Sequence, residues 1–392
     1  MANESGARPR IRVGFDARWY NDSGVGAYVC GLLSALAKLQ DEIELVVYED
    51  AANPSPLSYG AKVRRVPVSA GKYSASEQIE FAWRCRRDKL DVFHSPFYVV
   101  PLFAGCPVVV TIHDLIPFLY PVYPWPKAAV VRGGYRLAAL KAKHIIADSN
   151  NSAEDVRRIL GVKPGRISTI HIAAQECYSA KAGQGELELL RQTYGVRPPY
   201  AIVNSARNWR TKNLETALHT LHAARQKCGM EFQTVIYGPS EGLQAAGGEE
   251  RWRALDVKCA GYLGSADLAK LFRHAAVFVT ASLYEGFGLP VLEAMSCGCP
   301  VVCSNGGALA EVAGNGAQVF DPLDVAGMAD AICGLLRDDA DLQRWRDAAL
   351  SRSGEFSWLK AARETISVYH QARNLSPAQR EDLLIEAEKK GI

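Results

Sequence analysis

Short β-branched runs alternate with segments of helical spacing along almost the whole chain, and this alternation limits the available folds more than any other feature. IRVGFD (11–16), IELVVYE (43–49), KVRRVPV (62–68), DVFHS (91–95), PVVVTIHD (107–114), HIIADS (144–149) and RISTIHI (166–172) read as strands. Helical spacing fills Gly26–Leu39, Ser76–Lys89, Lys127–Lys143 and Ser152–Leu160 between them. Strands joined through helices make a parallel sheet with right-handed crossovers. The first half is therefore expected to be a doubly wound α/β domain.

At 195–199 the chain reads GVRPP, a stiff, turn-rich stretch that suits a hinge. The alternation then restarts with YAIVNSA (200–206), FQTVIYG (232–238), LDVKCAG (255–261), AVFVTAS (276–282), PVVCS (300–304) and AQVFD (317–321). Beyond Asp321 only helical patterns remain, over Val325–Arg337, Asp339–Ser351, Trp358–Ala372 and Pro377–Lys390, started by Asp324, Asp339, Ser357 and Ser376. The expected organisation is a Rossmann-like domain over 1–195, a second over 196–358, and closing helices over 359–392 that cross back to the first. Two such domains face each other across a cleft, and ligands of these sheets lie beyond the carboxyl ends of the strands.

Composition removes several function classes. A net charge of +3 over 392 residues is too small for a dedicated polyanion binder, so nucleic acid is not an expected partner. Charged residues or proline interrupt every apolar stretch before the roughly 18 to 20 residues of a membrane span. MANESGARPR has no apolar core and is not read as a signal peptide. Ten cysteines, with Cys30, Cys106, Cys228, Cys259 and Cys333 in or beside apolar segments, read as buried free thiols of a cytoplasmic protein. Cys297, Cys299 and Cys303 lack a partner pair at zinc spacing and read the same way.

The most informative stretch is YEGFGLPVLEAM (284–295), directly after an apolar strand. Gly286 and Gly288 allow close backbone approach, and Pro290 fits the first helical position, so Gly286, Phe287, Gly288 and Leu289 form a turn that opens a helix. The first amides of that helix lack internal partners and carry partial positive charge, which suits a phosphate. Glu285 in the loop and Glu293 about a turn into the helix flank the anion site. A carboxylate there can accept from a ribose diol, the role expected of Glu293, while Glu285 reaches sugar hydroxyls.

Glu285 and Glu293, in EGFGLPVLEAMSCGCPVV, resemble the E-x7-E signature of retaining glycosyltransferase family 4, which has the GT-B fold. Ala206-Arg207 followed by Lys212-Asn213 is similar to the family's basic elements, FSWLKAARETISVYH to its closing helix, and IHDLIP (112–117) to a subgroup with many mannosyltransferases. The resemblance implies a hexosyltransferase that uses a nucleotide-sugar substrate and no metal or other cofactor. It implies that Arg207 and Lys212 neutralise the donor diphosphate, that His113 faces the transferred sugar, and that the loop of Gly24 and Gly26 lies near the diphosphate. His113, Arg207, Lys212 and Glu285 form the expected catalytic set.

Asp22, Tyr28, His94 and Asp114 are expected on the acceptor side, where a saccharide or lipid-linked saccharide would bind. The aromatic, proline-rich loop 120–126 and the helix carrying Lys127, Arg132, Arg136, Lys141 and Lys143 suit anionic lipid headgroups, which would make the protein peripheral on the cytoplasmic membrane face. The nearest alternatives are a sugar-nucleotide epimerase or phosphorylase on the same fold. A nicotinamide-dependent oxidoreductase is disfavoured because Val29 stands where the dinucleotide fingerprint requires a third glycine.

Overall fold

The computed structural model describes residues 10–206 and 209–374. Seven strands, β1 (Ile11–Asp16), β2 (Ile43–Asp50), β3 (Arg64–Val68), β4 (Val92–Ser95), β5 (Val108–Ile112), β6 (His144–Ala147) and β7 (Ile167–Thr169), form one parallel sheet in the order β3-β2-β1-β4-β5-β6-β7. Six more, β8 (Tyr200–Asn204), β9 (Gln233–Tyr237), β10 (Val257–Gly261), β11 (Val277–Thr280), β12 (Val301–Ser304) and β13 (Gln318–Phe320), form a second in the order β10-β9-β8-β11-β12-β13. Central strands such as β5 and β8 are buried along their whole length, as a parallel sheet covered on both faces requires.

Helices cover both faces of the first sheet. On one, Phe81 and Cys85 of the Ala75–Arg87 helix and Tyr135, Ala138 and Ala139 of the Trp125–Lys141 helix pack against Tyr48, Phe93 and Val110. On the other, Val29, Leu32 and Leu36 of the Ser23–Leu36 helix meet Ala361, Ile366 and Tyr369 of the Trp358–Asn374 helix, so the last described helix crosses back to the first sheet. Gly31 makes room for it: a Cβ there would run into the Trp358 indole, whose Nε1 donates to the Ala174 carbonyl at 3.1 Å.

Several expectations need correcting. RISTIHI yields only three strand residues, because β6 ends at Ala147 opposite Thr169 and leaves the rest without a ladder. The first helix begins at Ser23, not Gly26, so Gly24 and Gly26 sit inside its first turn. Gly288 is the N-cap of the Leu289–Ser296 helix and Pro290 its second residue, a position whose N–H would be unpaired in any case. Asp338, not Asp339, caps the Asp339–Ser353 helix, accepting from the amides of Ala340 and Asp341. The segment Pro377–Lys390 lies outside the described residues. All ten cysteines are free thiols, but Cys177 and Cys259 are exposed, the latter because β10 is an edge strand. Cys297, Cys299 and Cys303 are buried, and burial pushes the Cys297 and Cys303 thiols up to about 12.

Candidate active site

The carboxyl ends of β5, β6 and β11 bring the two domains into contact. Gly286 is the closest approach: a Cβ there would strike the His113 carbonyl and come within 2.8 Å of the Asp114 side chain. Only glycine fits, which explains the residue type physically. Its own carbonyl accepts from Ser149 Oγ at 2.5 Å and from Ser152 Oγ at 3.0 Å, both at the start of the Asn150–Leu160 helix. Tyr284 donates to Asp155 at 2.6 Å across the same seam.

A further interdomain tie is Glu311, on the Leu309–Ala313 helix. Its carboxylate accepts from the Asn150 amide at 2.9 Å and meets His171 Nε2 at 2.5 Å. Burial would raise its pKa, but His171 and the amides of Asn150 and Asn151 hold it below the usual carboxylate range. No sequence signal pointed to Glu311, Ser149 or Ser152, and His171 reads from sequence as a core or edge residue.

On the first-domain side, His113 Nδ1 lies 2.5 Å from Asp148 Oδ2 and Nε2 lies 2.9 Å from the Pro96 carbonyl. A carboxylate and a carbonyl oxygen thus face the two ring nitrogens, an arrangement that favours the protonated ring. Burial, the largest influence, would lower its pKa, but the charge and hydrogen bond of Asp148, the Pro96 carbonyl and the Asp114 charge together outweigh it and the net shift is upward. Asp148 is a site residue that the sequence did not announce; its other oxygen, Oδ1, is buried and has no hydrogen-bond partner among the described residues. Asp114 accepts from the Ile116 amide at 2.9 Å, and burial raises its carboxyl above the usual range.

His94 does not line the cleft. It is fully buried, with Nδ1 2.6 Å from the Tyr369 hydroxyl and Nε2 2.9 Å from Thr111 Oγ1, and burial lowers its pKa to about 3, keeping it neutral. Tyr28 is also buried, with its hydroxyl 2.7 Å from Thr111 Oγ1 and its ring edge-on to His113 at 4.9 Å. Asp22 sits at the helix N-cap position without capping it, because its carboxylate pairs with Lys72 Nζ at 2.6 Å. Gly24 has open space where a Cβ would be, whereas Gly26 packs against the Tyr20 carbonyl.

On the second-domain side, Lys212 Nζ is 2.6 Å from Glu285 Oε1, which also accepts from Ser282 Oγ at 2.7 Å. Seventy-odd residues of sequence separation close here into one ion pair at the mouth of the glycine turn. Arg207 lies outside the described residues. Phe287 is buried against Phe356, with ring centroids 6.0 Å apart, and Leu289 begins the helix after Gly288, whose φ of 99° suits glycine. Glu293 is 9% exposed, and burial raises its carboxyl to about 7, opposed among the described residues by a hydrogen bond from Tyr178. Nearby, at the end of β9, the buried Tyr237 hydroxyl has no hydrogen-bond partner among the described residues. Tyr178 and Tyr237 carry no motif that sequence reading could have used. Among the described residues, no three His, Cys, Asp or Glu side chains gather as metal ligands.

Two α/β domains with parallel sheets, joined at strand ends around a glycine turn, a lysine and a buried helix carboxylate, define a GT-B glycosyltransferase architecture. Residues 23–173 match the family model for Glycosyltransferase Family 4, and 199–338 the model for Glycosyl transferases group 1. The chain belongs to the family 4 glycosyltransferases. Over 377 residues it is 29% identical to the O-antigen chain mannosyltransferase B of Escherichia coli, covering 89% of this chain and 96% of that protein. Among solved structures, sucrose-phosphate synthase from Thermosynechococcus elongatus superposes with a TM-score of 0.72 at 18% identity, covering 92% of this chain and 99% of that one. The Anabaena protein HepE in complex with UDP-glucose gives 0.70 at 16% identity, covering 93% and 100%.

Proposed function

We propose that this glycosyltransferase moves mannose from GDP-mannose to a saccharide or lipid-linked saccharide acceptor with retention of anomeric configuration. The observation that carries the reading is the Lys212–Glu285 pair at the mouth of the glycine turn, one helix segment away from a buried Glu293 that has no cationic partner among the described residues. In this reading Glu293 accepts from the ribose hydroxyls. Lys212, beside the start of the Leu289–Ser296 helix, and Arg207 meet the diphosphate charge as it builds up on the leaving group, without a metal ion. The leaning towards mannose rests on the His113-Asp114 segment and on the mannosyltransferase relatives.

Glu285 is tied to Lys212 and Ser282 through Oε1, and both His113 nitrogens are engaged by Asp148 and the Pro96 carbonyl, so neither is placed as a ready nucleophile. We therefore assign attack on the face from which the phosphate departs: the bond from the anomeric carbon to phosphate oxygen breaks, the acceptor oxygen bonds to that carbon, and the departing phosphate takes the hydroxyl proton. The His113 imidazolium would sit beside the sugar as a fixed positive charge. Closure across Gly286 excludes water that would otherwise hydrolyse the donor.

A thermal-shift screen against GDP, UDP, dTDP and ADP tests the donor, with GDP expected to stabilise most. Transfer from GDP-mannose should survive a metal chelator, and product analysis should show retention. A covalent glycosyl adduct trapped on Glu285 would overturn same-face attack.

A further inference from the structure

We propose that the face of the first domain built from the Ala75–Arg87 helix, the loop through Phe103 and the Trp125–Lys141 helix is a docking surface for an anionic lipid bilayer. Large apolar side chains stand out in solvent there: Ile79 is 74% exposed, Trp83 53%, Phe103 65%, Trp125 81% and Val130 76%. Monomeric proteins rarely leave so many bulky apolar groups together without a partner. Ile79, Trp83 and Phe103 line a shallow open groove of about 750 Å³, edged by Arg86 and Arg87.

The two helices belong to one continuous face. Both pack their inner sides on the same side of the first sheet, through Phe81 and Cys85 from one and Tyr135 and Ala138 from the other. The loop between them is fixed to both. Gln78 donates to the Val100 carbonyl and accepts from the Leu102 amide, while the Tyr98 ring stacks on Tyr135 at 4.1 Å. The apolar knobs are thus held on a rigid plate.

Charge selects the occupant. The Trp125–Lys141 helix carries Lys127, Arg132, Arg136 and Lys141 and no acidic residue. On the neighbouring helix, the acids near the groove are consumed within the protein: Glu80 pairs with Arg84, and the buried Asp88 is shared by Arg64 and Arg87. What remains outward is cationic and aromatic. Tryptophan and phenylalanine seat at the headgroup boundary while lysine and arginine meet lipid phosphates, which is the pattern of an interfacial surface. A protein partner fits less well, because the groove is shallow and open and the apolar groups continue beyond it to Trp125 and Val130 on a helix whose charged residues are all cations. The proposal rests on the reading that the acceptor is lipid-borne only for its purpose; its geometry is independent.

The test is flotation of the full chain with phosphatidylcholine vesicles, with and without phosphatidylglycerol. Binding should require the anionic lipid and fall roughly tenfold or more in Lys127→Glu/Arg136→Glu and in Trp83→Ser/Phe103→Ser. Both pairs of changes lie on exposed positions, and transfer to a water-soluble acceptor should be unchanged in them. Equal binding to neutral vesicles, or no loss in the Trp83→Ser/Phe103→Ser variant, overturns the proposal. So does concentration-dependent dimerisation abolished by that variant. A chain that transfers sugar to the soluble acceptor yet ignores all vesicles removes the docking surface and leaves the transferase reading standing; a chain that binds vesicles but transfers nothing does the reverse.

Discussion

The two walls of the cleft differ in how far their polar groups are satisfied. On the first-domain wall, His94, Thr111, Tyr28 and His113 are held by one another, Tyr369, Asp148 or the backbone, and among the described residues the orphan oxygen there belongs to Asp148, whose other oxygen meets His113. On the second-domain wall, among the described residues, Glu293 is buried without a cation and the Tyr237 hydroxyl has no hydrogen-bond partner. A buried polar group left unmet costs folding free energy. Among the described residues, then, the second wall holds more unmet polar groups than the first, which is the pattern expected of the wall that takes the donor.

Four changes would sharpen or break that contrast. Lys212→Ala should have the largest effect, lowering turnover at least about 100-fold because a preorganised cation is lost and Glu285 is left unpaired; near-normal turnover would remove Lys212 from the diphosphate site. Gly286→Ala should come next, lowering turnover by roughly tenfold or more, because its methyl group would collide with the His113 carbonyl and hold the walls apart. Nucleotide affinity, measured calorimetrically, should change less than turnover.

Glu293→Gln should weaken nucleoside diphosphate binding about tenfold or more. Its effect on the free protein should have the opposite sign. The Glu293 carboxyl is raised from 4.5 to about 7, so between those values the folded chain keeps a proton that the unfolded chain has lost. Stability contributed by this group therefore falls as pH rises through that window and stays lost above it. The glutamine variant escapes the loss and should melt roughly 2 °C or more higher near pH 8. Since the diol needs the ionised carboxylate, wild-type nucleotide affinity should fall about tenfold from pH 8 to pH 6; a flat profile would mean that Glu293 is not the acceptor. Tyr237→Phe should be the smallest change, stabilising the ligand-free chain by up to about 1 kcal/mol in denaturant titration. Destabilisation would show that the hydroxyl has a partner after all.

Much of the architecture is legible in the sequence because parallel strands buried on both faces must be apolar runs, and crossovers must supply helices between them. Boundaries fail where they depend on a neighbour, as in β7, whose length is set by where β6 stops. The glycine turn is legible because close backbone approach demands a residue type. His94 was misread because a histidine near a strand's end looks the same whether it points to the cleft or, on a central strand such as β4, into the layers beneath. Asp148, Tyr178, Tyr237 and Glu311 are common residues in unremarkable contexts, and only three-dimensional proximity gives them meaning.

The helix Trp358–Asn374 also orders events during synthesis. One face of the first sheet, including the imidazole of His94, waits for Tyr369, which leaves the ribosome only after the whole second domain. Until then the nascent amino-terminal half presents an oily, incompletely roofed surface of the kind that is prone to aggregation. Premature termination just before Trp358 should therefore injure the half of the molecule that was made first.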